Sequence, residues 1–159
     1  KTPSGQVELA PAAFLADLPR MLAAMDEPHD GRLTLIGRRH VRSNNSWMHN
    51  VDVLVKGKER CTLQVHPDDA ARLGLRDGGR AEVVSRVGQV VAPVEVTDEI
   101  LAGVVSLPHG WGHDAPGTAM AVAEAHAGVN ANALTDDAPL DPLSGNAVLN
   151  GVPVTVAPA

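Results

Sequence analysis

Two runs of alternating residues, Arg80–Val87 and Gln89–Thr97, meet at the single Gly88 and constrain this chain more than any other feature. In the second run Val90, Ala92, Val94 and Val96 take one face against Val91, Pro93 and Glu95, the period of a half-buried strand. Such a hairpin leaves an apolar face that other strands must cover. Short β-prone runs at 32–37, Cys61–Val65, Gly103–Leu107 and Val152–Ala157 supply them. Aromatic residues are scarce, with two Trp, one Phe and no Tyr, so Val, Leu, Ile and Ala must build the core. Between the strands, His66–Gly74 reads as a short helix: Pro67 suits its first turn, Asp68 and Asp69 its positive end, and Gly74 its stop. Val51–Val55 is compatible with a strand or a helical turn, broken by Lys56-Gly57-Lys58. Six strands, a few short helices and long loops predict a mainly β protein, a six-stranded barrel.

Residues 1–31 form a separate region in this reading. Leu9, Phe14, Leu15, Leu18, Met21, Leu22 and Met25 recur near a helical period across 7–25, with Pro19 expected to kink or divide the segment. Residues 26–31 read as a linker, giving an N-terminal helical arm (1–31) and a barrel domain (32–159). The arm's apolar face needs a partner, and the chain opens at Lys1 without Met, which suggests a piece of something longer. One cysteine, Cys61, excludes an intrachain disulfide and a cysteine-ligated cluster, and its strand-like setting predicts a buried thiol. No apolar run nears the roughly 20 residues of a membrane span and no signal-peptide pattern is present, so a cytoplasmic protein is expected.

Charge is unevenly spread. Residues 32–86 hold 11 of the 13 Lys and Arg against 6 acidic residues, whereas 87–159 hold no Lys or Arg and 8 acidic residues. An acidic chain with one basic section lacks the extended basic face that nucleic-acid binding requires. Within that section an apolar run ends at Gly37, and Arg38, Arg39 and Arg42 are followed by Ser43, Asn44, Asn45, Ser46 and Trp47. Guanidinium groups fork onto phosphate oxygens, and the Asn amides offer the paired donor and acceptor that a pterin or purine edge demands. The segment is either a pocket for an anionic heterocyclic ligand or a solvated basic loop.

Three stretches in order resemble the C-terminal dinucleotide-binding domain of the molybdopterin oxidoreductases, the dimethyl sulfoxide reductase family. They are Gly37–Trp47, then Val65–Gly78 continuing into the hairpin through Gly88, and Asn130–Asp137. The match covers roughly residues 32–157. The resemblance implies a double-psi β-barrel that holds one edge of bis-molybdopterin guanine dinucleotide, with the rest of the site, the metal ligand and an iron–sulfur cluster supplied by preceding domains of a longer parent chain. By the same resemblance Arg38 and the loop through Trp47 would contact cofactor phosphate and pterin, Asn132 would hydrogen-bond the pterin, and His109, Gly110 and Trp111 would close over it. The loops look closest to the formate dehydrogenase-like branch. The domain alone should not catalyse.

Several residues keep a second reading. Asp136 or Asp137 either accepts from the guanine edge or makes an Asx turn before Pro139. Trp47 and Trp111 either cover the pterin or plug the barrel. His109 and His113, with Asp114, have a zinc-ligand spacing, but Pro108 and two glycines oppose the helix that would align them, so no metal site is expected. Ser43 and Ser46 lack the Gly-x-Ser-x-Gly elbow of an acyl-transfer nucleophile. An alternative function for such a barrel is a substrate-recognition module that binds no nucleotide.

Overall fold

Six strands close into a barrel in a computed structural model that describes residues 2–26 and 30–159. They are β1 (Leu33–Arg38), β2 (Leu63–Val65), β3 (Arg80–Val84), β4 (Gln89–Val96), β5 (Val104–Pro108) and β6 (Val152–Pro158). Around the barrel the order is β1-β5-β2-β4-β3-β6. The β1/β5 and β2/β4 pairs are parallel and the other four are antiparallel. Exchanging β1, β2 and β3 with β4, β5 and β6 maps β1/β5 onto β4/β2 and β1/β6 onto β4/β3, and returns β2/β5 and β3/β6 to themselves. That internal two-fold, with two interlocked parallel pairs, is the double-psi β-barrel.

Alternation sends Leu33, Leu35, Ala81, Val83, Ala92, Val94, Val105, Leu107, Val152, Val154 and Val156 inward, where all are buried. Closure leaves no open sheet edge, which suits a core made of small branched residues. The hairpin is shorter than its alternation predicts. Ser85 ends β3 because its Oγ accepts from the backbone N–H groups of Val87 and Gly88, at 3.2 Å each, folding Ser85–Gly88 into the turn.

Among the described residues the chain also forms four α-helices, α1 (Ala12–Met25), α2 (Asp52–Val55), α3 (Pro67–Leu73) and α4 (Ala121–Ala125), and a 3-10 turn at Ala131–Leu134. The 51–55 segment is thus a helical turn rather than a strand. His66 caps α3 by accepting from the Asp68 backbone N–H at 3.2 Å, and Gly74 closes it in a left-handed conformation. Buried Asp69 on α3 accepts from the Gly103 N–H at 2.6 Å and from Arg72 at 2.7 Å, which fixes where β5 begins.

The arm differs from its expected form. The helix starts at Ala12, because Pro11 is extended, and Val7 and Leu9 lie outside it; the helix then runs unbroken through Pro19. None of its residues is buried, and Phe14, Leu15, Leu18, Met21, Leu22 and Met25 are exposed. Part of the expected linker, residues 27–29, lies outside the described residues.

Candidate functional site

Because β1 and β5 run parallel, they end side by side, with Gly37 opposite Leu107 and Arg38 opposite Pro108. A cleft of about 390 Å³ lies at these strand ends, bounded on its other sides by the 3-10 turn and by Leu149 and Asn150. Leu35, Leu107 and Ala131 form its apolar floor, the 3-10 turn contributes Asn132 on one wall with Thr135 just after it, and Leu149 and Asn150 close the third side. Gly37, Arg39, His109 and Gly110 complete the rim.

Four of the residues singled out from the sequence therefore meet here: Arg39, His109, Gly110 and Asn132. Among the described residues, the Arg39 guanidinium and the Asn132 side-chain amide have no partner, so both remain available to a ligand. Asn45 reaches the margin by a 2.8 Å hydrogen bond between its Oδ1 and His109 Nε2. Gly110 lies in a left-handed conformation (φ +88°), and a Cβ there would stand 2.4 Å from the Asn45 carbonyl oxygen. Only glycine lets the two loops touch. Asn44 and Asn45 themselves adopt positive φ, at 42° and 62°, a backbone that Asn tolerates better than most residues.

Other expected residues sit elsewhere. The Arg38 guanidinium turns back into the barrel rim, donating to the Ser106 carbonyl at 2.9 Å, the Thr62 carbonyl at 2.8 Å and Thr62 Oγ1 at 3.0 Å. Thr62 Oγ1 in turn donates to Glu95 Oε2 at 2.6 Å, and Lys58 binds the other Glu95 oxygen at 3.1 Å. This chain of charges ties β1, β5 and β2 together; burial lowers the Arg38 pKa and the Thr62 hydroxyl lowers that of Glu95. Arg42 donates to the Val53 carbonyl at 2.9 Å, and Ser43 is buried with its hydroxyl on the His40 carbonyl. Asn44 and Ser46 are exposed outside the cleft. Trp47 is 81% exposed, so it plugs nothing. Trp111 is buried, but beneath the arginine loop, its ring 3.9 Å from that of His49. Asp136 does not line the cleft: both carboxylate oxygens receive Arg86, which holds the carboxyl down at about 2, and one also accepts from the Ala138 N–H, the expected Asx turn. His109 and His113 face different partners, since His113 Nε2 lies 2.6 Å from His49 Nδ1. Among the described residues no three His, Cys, Asp or Glu converge.

Sequence reasoning missed Asn150, whose Oδ1 accepts from the Gly37 N–H at 2.6 Å and so shapes the cleft floor. The Asn-Gly pair before β6 signals a turn, but nothing in a separation of 113 residues signals this contact. It also missed His49, Thr135 and Arg86.

Fold and cleft define a double-psi barrel built to hold a ligand at one rim. The sequence pattern of the "Molydopterin dinucleotide binding domain" matches residues 33–153, and the chain belongs to that family. The large curated relatives include a tetrathionate reductase subunit from Salmonella typhimurium, 30% identical over 111 residues, 59% of this chain and 11% of that protein. The dimethyl sulfoxide/trimethylamine N-oxide reductase of Rhodobacter capsulatus is 40% identical over 60 residues, 38% of this chain and 7% of that protein. The chain thus spans about a tenth of these relatives. Acetylene hydratase from Pelobacter acetylenicus shares the fold, with a TM-score of 0.69 at 24% identity over 99% of this chain and 24% of that one.

The cleft's residues fit a molybdopterin dinucleotide. A free guanidinium suits phosphate, a free amide suits a heterocycle edge, and an apolar floor suits a flat ring. At about 390 Å³ the cleft is at the small end of ligand pockets, large enough for one edge of such a cofactor.

Proposed function

We propose that this domain grips one edge of bis-molybdopterin guanine dinucleotide within a longer oxidoreductase chain. The observation that carries the proposal is the meeting of two unpartnered groups, Arg39 and Asn132, from distant parts of the sequence above the ends of β1 and β5. In this assignment Arg39 takes the phosphate contact, because Arg38 is committed to main-chain carbonyls. Asn132 meets the pterin edge, and His109, steadied by Asn45, closes the rim. When bound, the cofactor supplies redox chemistry through its metal; the chain's own task is to bind and orient. The remaining cofactor contacts, the metal ligand and an iron–sulfur cluster belong to preceding domains of the parent.

For the parent's substrate, the loop sequences favour a formate dehydrogenase-like branch, while the names of the relatives favour reduction of S-oxides, N-oxides or tetrathionate. Dye-linked assays of the full-length protein separate the two: formate-dependent dye reduction supports the first, and reduced-dye oxidation by dimethyl sulfoxide, trimethylamine N-oxide or tetrathionate the second. The cofactor assignment itself is tested by Arg39→Ala in the full-length protein. Loss of one charge-assisted contact, worth about 1.5–3 kcal/mol, should lower molybdenum and guanine nucleotide content together. Unchanged content of both would remove Arg39 from the site.

A further inference from the structure

The β3–β4 hairpin reaches the cleft wall without lining it. At its tip Arg86 donates through Nε and Nη2 to the two oxygens of Asp136, two residues beyond the 3-10 turn that carries Asn132. Two positions further, Gly88 packs on the turn itself: a Cβ there would stand 2.3 Å from the Ala133 carbonyl oxygen. The obstruction is backbone, so no side-chain rotation relieves it. The turn is also held from within, since Asn130 Oδ1 accepts from the Asn132 N–H at 3.1 Å. The hairpin tip therefore meets the wall by one forked ion pair and one backbone contact, on either side of Thr135.

We propose that Arg86 and Gly88 are positioning residues that set where Asn132 stands in the cleft, and so how long the cofactor is retained. The inference rests on the cleft being the cofactor site. The Arg86 side chain is 63% exposed and that of Asp136 13%, so the pair also contributes to stability, and each variant's thermal midpoint is read beside its cofactor release to separate the two effects. A forked guanidinium–carboxylate pair fixes direction as well as distance, which a wall residue one turn away inherits.

The experiment compares the full-length protein with Asn132→Ala, Arg86→Ala, Gly88→Ala and the exchange Arg86→Asp with Asp136→Arg. Bound cofactor is followed as pterin fluorescence after acid oxidation, over time in dilution, beside thermal midpoints. Arg86→Ala should release cofactor about 10-fold faster at temperatures well below its midpoint, where it is fully folded, the scale on which outer supports of a bound group act. The exchange should restore slow release. Gly88→Ala should release faster too; where it fails to fold, the Arg86 variants decide. Wild-type release from Arg86→Ala, beside fast release from Asn132→Ala, overturns the positioning role alone. Fast release from Arg86→Ala that the exchange does not correct overturns it as well, since Arg86 then acts otherwise than through Asp136. Wild-type release from Asn132→Ala overturns the cleft assignment and this inference with it.

Discussion

Acid should weaken this domain chiefly through His49, with His40, whose pKa is also lowered by burial and by the arginines around it, acting in the same direction. His49 is 1% exposed beneath the arginine loop, packed on Trp111 with its Nδ1 2.6 Å from His113 Nε2. Its Nε2 and the Trp111 Nε1 are buried without a partner among the described residues. Burial, reinforced by the facing His113 and opposed by the Gly110 backbone, pulls its pKa from 6.5 down to about 4. The unfolded chain takes up this proton as pH falls through 6.5, while the folded chain refuses it until about 4. Between those values the unfolded state binds more protons, so the stabilisation is present above pH 6.5 and is lost as pH falls towards 4. At 1.36 kcal/mol per pKa unit, the loss is about 2 kcal/mol between pH 7 and pH 5 and about 3 kcal/mol by pH 4. The carboxylates with lowered pKa begin below these values and do not contribute between pH 7 and pH 5. Urea unfolding of this chain at pH 7 and pH 5, beside His49→Gln, reads the effect directly. The wild type should lose about 2 kcal/mol more than the variant, whatever the variant's own stability. Equal losses in the two proteins would show that His49 titrates normally and that its burial does not hold it neutral.

Two further outcomes follow from the rim. Arg38→Ala should lower stability by about 3 kcal/mol, because it strips a charged donor from the carbonyls of Thr62 and Ser106 that hold three strands together; an unchanged thermal midpoint would make the side chain dispensable. Cys61 is buried, receives the Val129 N–H at 3.3 Å, and has its pKa raised chiefly by that burial. Native protein should resist iodoacetamide at pH 8 and react once unfolded, whereas labelling at the native state would place the thiol at the surface.

The strands were legible because their signal is local. Alternation across Gly88 marks β3 and β4, and Ala92 and Val94 face inward as the period requires. The arrangement of the strands is not local: β1 lies beside β5 and β6, joined by hydrogen bonds between segments some 70 to 120 residues apart, and no nearby residue announces that. The cleft divides along the same line. Arg39 and Asn132 lie in motifs that the sequence exhibits, and both line the cleft. The direction of Arg38 depends on which carbonyls the closed barrel brings within reach, so adjacent arginines of the same chemistry do different work. Arg86 with Asp136, and Asn150 with Gly37, are tertiary pairs whose partners have no shared spacing. The arm's helix starts later than its periodicity predicts, because Leu9 fits the helical period while the extended Pro11 caps a helix that begins at Ala12.

The most direct test of the cofactor cleft lies at Asn132, where charge and shape separate. Asn132→Asp keeps the size of the side chain but replaces its NH₂ donor with an oxygen and adds a negative charge. If the amide donates to a pterin acceptor, both changes oppose binding, and the Asp variant should hold less cofactor than Asn132→Ala. Asn and Asp are nearly interchangeable as turn residues, so a purely local role leaves the Asp variant almost silent. The measurement is molybdenum and guanine nucleotide per mole of purified full-length protein for wild type, Asn132→Ala and Asn132→Asp. Content should fall in that order; wild-type content in the Asp variant would contradict a cofactor role for Asn132.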